Sequence, residues 1–336
     1  MSVLGFAGLF ATEASAVVNV VACGTHVVRD VARLTTDLDC SAYVPPAGPG
    51  SSTAAAIELE SATLDLAGFT LRGPTGSVGP PAAAVKFGLR TSGPCSVTGP
   101  GTITGFGEAG ILNFGPLRVE GIALLANPHG GIGPCNGTRN VTVLDSTIAG
   151  SDCGITAARV TVRNSEISGN RSSGVNSAVG PLRVFDSLIQ GNEGTGLKSG
   201  AASITVVDSV ITGNGTGVRA GRAQWPYAGS AVIVRSEVAG NLGTGVWAAR
   251  SAVLHNSQVT GNGILGVQTA EGPIVATGGS TIITGNGTDD GCGVTEACAD
   301  LDSPDKPQLG LRTTCEVSHV SDSGIPGTAW SVCSTD

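Results

Sequence analysis

Three lysines and one methionine occur in 336 residues, and charged side chains make up 13%, against a usual ~25%. Long helices draw on Ala, Leu, Glu, Lys, Arg and Met, so this scarcity disfavours a helical bundle. No apolar run approaches the ~18 residues that a membrane-spanning helix needs. The formal net charge is −8, and phosphate contacts call for clustered Lys and Arg, so no nucleic-acid partner is expected. None of the nine cysteines forms a Cys-x-x-Cys pair, which argues against the usual zinc frameworks. The L-x-x-L-x-L spacing of leucine-rich repeats and the G-G-x-G-x-D repeats of calcium-binding β-rolls are absent. There is no strict Gly-X-Y period, which excludes collagen.

What is present is glycine: 52 Gly and 17 Pro, about one residue in five. Apolar residues reach 40%, too many for a disordered chain. The length allows two ordinary domains or one long all-β unit. Residues 1–16, MSVLGFAGLFATEASA, read as a signal-peptide-like segment. Val3 to Phe10 is apolar and Ala14-Ser15-Ala16 resembles a small-residue cleavage site, although the positive n-region is missing. The alternative is a buried first strand or a cap. Disulfides fit the cysteine spacing better than zinc and agree with export, which gives a secreted, periplasmic or cell-surface location. The expected pairs are Cys23–Cys40 and Cys315–Cys333, each closing a loop that contributes roughly 3 kcal/mol in a chain-entropy model. An odd count leaves one cysteine unpaired, and the remaining connectivity stays open.

Self-similarity is the strongest signal. NSEISGN ending at Asn170, DSLIQGN at Asn192, DSVITGN at Asn214, RSEVAGN at Asn241, NSQVTGN at Asn262 and STIITGN at Asn286 align, and DSTIAGS at Ser151 fits with Ser for Asn. The aligned apolar position is Leu71, Ile103, Leu124, Ile148, Ile167, Ile189, Ile211, Val238, Val259 and Ile283, with gaps of 19 to 32 residues. Each unit holds three short pieces of alternating apolar and polar residues, the period of a strand. A repeat near 22 residues with three strands describes a coil whose strands pair only with their equivalents in the next coil. The expectation is an all-β solenoid of about 10–11 coils over 17–290, roughly 50 Å long at the inter-strand spacing, with a Cys-rich C-terminal cap over 291–336. Gly and Asn both tolerate positive φ at a corner, and stacked Asn amides form a ladder.

These repeats resemble the right-handed parallel β-helix proteins, the pectin-lyase-like superfamily with short β-helix repeats. The resemblance covers about Cys23 to Gly287. CGTHVVRDVARLTTDLDC followed by IELESATLDLAGFTLRG is similar to the entry coils of secreted bacterial members, in which a Cys pair brackets the first coil. The resemblance implies a fold but no single activity, because the superfamily spans lyases, hydrolases, epimerases, tailspikes and adhesins. Its enzyme motifs are not met. Of the pectin hydrolase set only Asp289-Asp290 is present, and both pectate lyase segments are missing. The epimerase D-P-H-D segment is reduced to Asn127-Pro128-His129-Gly130, so a surface turn is the reading for His129. No catalytic residue is assigned.

The position before the repeat Ser carries Asp145, Asn164, Asp186, Asp208, Arg235 and Asn256. Asx-turn chemistry explains this column without a metal; calcium between stacked carboxylates is the alternative. No other cofactor is expected. Outward positions on the third strand are Asn176, Lys198, Arg219, Trp247 and Gln268, whereas the second strand presents the less distinctive Glu166, Leu188, Val210, Glu237 and Gln258. An insertion, GRAQWPYA, follows Ala220 and brings Arg222, Trp225 and Tyr227. Aromatic faces stack on sugars, and Lys and Arg bind carboxylates. Lys198, Arg219, Arg222, Trp225, Tyr227 and Trp247 are therefore the candidate glycan-binding residues. The alternatives are a polysaccharide lyase or epimerase acting on a uronic-acid polymer, with Lys198 as base and Arg219 or Arg222 neutralising the carboxylate, and a non-catalytic structural or adhesive rod.

Overall fold

In the computed structural model the described residues are 17–45, 54–74, 86–133, 139–222, 229–278, 280–287, 299–310, 313–315 and 318–320. Among them there is no helix, and the strands form three parallel sheets of 13, 12 and 13 strands. One rung shows the plan: Arg159–Arg163 lies in the first sheet, Glu166–Ser168 in the second and Ser173–Ser177 in the third. Each strand pairs with its equivalent one rung away. Every residue of the predicted apolar column, Leu71 through Ile283, is fully buried. The column runs in unbroken register, with Ile167 opposite Ile189 and Ile189 opposite Ile211. Alternation of two residues permits no other choice, because a one-residue slip would turn every apolar side chain outward.

The corners follow from residue type. Between the first and second sheets a single residue adopts left-handed backbone, from Asp145 (φ 48°) through Asp186 (φ 48°) to Asn256 (φ 49°). Asp and Asn bear this conformation best among non-glycine residues. The serine that follows is buried. Its hydroxyl donates to the carbonyl two residues back and accepts the backbone N–H of the preceding rung's serine. Ser187 Oγ donates to Phe185 O at 2.6 Å and accepts from Ser165 N at 3.2 Å, and the pattern repeats from Ser146 to Ser257.

Between the second and third sheets, of two adjacent residues that both tolerate positive φ, one adopts it. The residue before the asparagine takes it, as Gly169 (φ 61°) and Gly191 (φ 59°) do and as Ala126 (φ 50°) does ahead of Asn127, while the asparagines turn inward and build the ladder. Asn170 N and Nδ2 both donate to Asn192 Oδ1, at 3.1 and 2.8 Å, and the stack continues to Asn286. The tight corner also explains Gly174, where a Cβ would lie 2.9 Å from Asn192 Nδ2 and 2.8 Å from Gly196 O.

Two expectations on extent are revised. The rungs exceed ten or eleven because the sheets begin at Val18–Val20 and because Ala299–Ser303, Gln308–Leu309, Thr314–Cys315 and Ser318–Val320 add to them by parallel pairing. Position 290 is therefore not a boundary of the sheets. Backbone pairing propagates the coil there without the Gly-Asn signature that marks it upstream. The Cys23–Cys40 disulfide is present, Cys95 is free and buried, and Cys153 and Cys315 are disulfide-bonded. Residues 1–16, Cys333, Asp289 and Asp290 lie outside the described residues.

Candidate functional site

The third sheet carries the predicted strip. Asn176, Lys198, Arg219, Trp247, Gln268 and Asp302 are successive register partners, one per rung. Each strand contributes its outward residue because the flanking positions, such as Leu197 and Ser199 around Lys198, are buried. The Arg219 guanidinium carbon sits 5.3 Å from the centroid of the Trp247 ring, within cation–π reach. Arg219 is exposed and Lys198 and Trp247 are half-buried, so this part of the strip faces solvent, whereas Asp302 at its end is buried. At its far end Gln268 Nε2 donates to Asp302 Oδ2 at 2.8 Å.

The structure thus brings together Lys198, Arg219 and Trp247. Arg222 is exposed at the corner two residues past the end of strand Thr216–Ala220. Trp225 and Tyr227 lie outside the described residues. Asp302 was missed because its rung falls in the expected cap and carries no Gly-Asn marker.

A second feature was undervalued by sequence. An open groove of about 510 Å³ follows the corner between the first and second sheets, lined by Asp145, Glu166, Asp186 and Asp208 together with Leu188 and Val210. Its like charges are relieved by arginine. Arg235 Nε and Nη2 donate to the two carboxylate oxygens of Asp208 at 2.7 and 2.6 Å. Those hydrogen bonds hold the Asp208 carboxyl below its ordinary range and raise the Arg235 pKa. Arg163 Nη1 lies 3.9 Å from Asp186 Oδ2, and Asn164 Nδ2 donates to Asp145 Oδ1 at 2.5 Å. Among the described residues no group of three or more His, Cys, Asp or Glu side chains is arranged to hold a metal. His129 is at an exposed turn with Nδ1 3.6 Å from Glu108 Oε2.

No curated protein matches the sequence. Among solved structures the chain is similar to the Dettilon tailspike protein, with 10% identity and a TM-score of 0.44 over 89% of this chain and 62% of that one. This chain thus spans less than two thirds of the tailspike. It is also similar to the pectate lyase Pel9A, at 17% identity and TM-score 0.41 over 78% and 69% of the two chains. A third likeness is to the periplasmic alginate epimerase AlgG, at 12% and 0.36 over 88% and 82%. At such identities no site residue transfers. The model of the right handed beta helix region, in contrast, matches residues 130–298, half of the chain. On that match, and on the three parallel sheets that the described strands form, the chain belongs to the right-handed β-helix family.

Proposed function

We propose that this protein is exported and binds a polysaccharide or cell-surface glycan along the outward strip of the third sheet. The observation that carries the reading is the direct register of Lys198, Arg219 and Trp247 on three consecutive strands, with the guanidinium against the indole. An aromatic face supports a sugar ring, the two cations suit carboxylates, and Asn176 and Gln268 offer amides to hydroxyls. The Arg219–Trp247 contact is worth about 0.5–1 kcal/mol at an exposed site, weak enough to be exchanged for a stacked sugar. The reading extends to Arg222, Trp225 and Tyr227 of the sequence insertion after Ala220 as further glycan-binding residues. The disulfides at Cys23–Cys40, Cys153 and Cys315 support export, since they persist in oxidising compartments.

A glycan array followed by titration of the hits tests this. Trp247→Ala is expected to weaken binding by about 1–2 kcal/mol while changing stability by no more than ~0.5 kcal/mol. Arg219→Ala matters only for an acidic ligand, and its effect shrinks as salt rises. Undiminished binding of every glycan by the triple variant Lys198→Ala, Arg219→Ala, Trp247→Ala sinks the proposal and favours a structural rod. A second reading, a lyase or epimerase on a uronic-acid polymer, draws on the adjacency of Lys198 and Arg219, one a base and one a carboxylate partner. Ultraviolet absorbance of unsaturated products and NMR of C5 configuration distinguish it from binding alone.

A further inference from the structure

The asparagine ladder has one interruption, and its chemistry is specific. In the regular rungs from Asn192 onward the ladder side chain does two things. Its Oδ1 accepts the backbone N–H of the ladder residue one rung earlier, as Asn214 Oδ1 does from Asn192 N at 3.1 Å. Its Nδ2 donates to the carbonyl of the core residue of that earlier rung: Asn192 to Ile167 O, Asn214 to Ile189 O, Asn241 to Ile211 O, Asn262 to Val238 O and Asn286 to Val259 O, all at 3.0–3.2 Å. Asn127, two rungs above the start of the unbroken stack, behaves the same way toward Phe106 N and Ile103 O.

Ser151 occupies the ladder position between Asn127 and Asn170. Its backbone joins the stack, because Ser151 N donates to Asn170 Oδ1 at 3.0 Å. Its side chain does not extend it. The hydroxyl is buried, the residue is 2% exposed, and Oγ has no hydrogen-bond partner. By the ladder rule two backbone groups depend on position 151: the N–H of Asn127, a residue that is itself fully buried, and the carbonyl of Leu124, the core residue of that rung. Serine carries a hydroxyl where asparagine carries a carboxamide, and that hydroxyl reaches neither.

We infer that Ser151 holds a buried structural water that does the work of the missing amide. Its oxygen accepts the N–H of Asn127, one hydrogen goes to the Leu124 carbonyl, and Ser151 Oγ is the third partner. Three partners are what a typical buried water has, and the bridge satisfies the Asn127 N–H, whose desolvation would otherwise stand uncompensated. The inference is independent of any glycan site, since the ladder lies inside the coil and the strip outside it.

Two measurements test it. A high-resolution crystal structure of the intact protein is expected to show a water within hydrogen-bond distance of Ser151 Oγ, Asn127 N and Leu124 O; well-ordered density without one overturns the inference. In solution, amide exchange at Asn127 is expected to be faster than at Asn170, Asn192 and Asn214, because a water is a looser acceptor than a stacked amide. Ser151→Asn is expected to slow the Asn127 amide to the rate of those three and to raise the melting midpoint by a few degrees. A Ser151→Asn protein that folds with unchanged Asn127 exchange overturns it. Should Ser151→Asn fail to fold, Ser151→Ala gives the second arm: removal of one water partner should speed exchange at Asn127 alone, and no change there refutes the bridge.

Discussion

Rungs between Arg90 and Thr156 and those from Ala157 to Gly287 share one backbone geometry, yet their buried polar groups are served differently. The downstream rungs carry a continuous serine ladder at one corner and a continuous asparagine ladder at the next. Their third-sheet corner is also satisfied: Ser177 Oγ donates to Gly180 O at 2.6 Å and Thr269 Oγ1 to Gly272 O at 2.5 Å. Upstream, the equivalent inward positions hold Thr91 and Asn113, register partners in adjacent rungs. Every buried side-chain polar atom without a partner among the described residues belongs to Arg90, Thr91, Asn113, Ser151 or Thr156. The coil therefore does not require the polar ladders. Strand pairing and the apolar column set the rung, and the ladders add satisfaction to groups that would be buried anyway.

The largest expected effects probe the part both regions share. Ile189→Ala downstream and Leu124→Ala upstream should each lose about 2–5 kcal/mol, from transfer and cavity terms, as read by denaturant unfolding. A markedly smaller loss at Leu124 would break the claim that the apolar column is continuous across the two regions.

The next pair separates the regions. Asn214→Ala leaves Asn192 N–H and the Ile189 carbonyl without their ladder partner, and an unsatisfied buried group costs about 1–3 kcal/mol. Asn113→Leu removes an amide with no partner at either atom, so its melting midpoint is expected to hold or rise. Equal destabilisation by both substitutions would show that the upstream amide is served after all.

The smallest effect concerns the outer corner. Arg235 depresses the pKa of Asp208. A carboxyl whose folded pKa is lowered contributes stability above its unfolded pKa, and that contribution is lost as pH falls through the folded value. Arg235→Gln should move the Asp208 titration upward in a carboxyl-resolved NMR experiment and leave the downstream ladders unaltered. An unmoved titration would mean that the ion pair seen here is not populated in solution.

Much of this was legible in the chain. The ten apolar positions from Leu71 to Ile283 were aligned by motif alone, and all ten are buried in one column. The outward run Asn176, Lys198, Arg219, Trp247, Gln268 follows from the same register. The serine ladder was not read, although the serine itself marks the repeat. A small hydroxyl at a corner has several local partners, and only the next rung shows which carbonyl and which N–H it serves.

The sequence by itself determined the period, the inward face and the order of the outward residues, because all three depend on alternation within short strands and on spacing between like motifs. The tertiary structure alone decided that glycine takes the left-handed corner while asparagine turns inward. It also decided that Arg235 pairs with Asp208, that Arg219 lies over Trp247, and that the coil runs on past residue 290. Each of these joins residues a full coil apart, such as the 27 between Asp208 and Arg235. A side chain's neighbours across rungs depend on how the intervening turns and insertions close, and strand alternation says nothing about that.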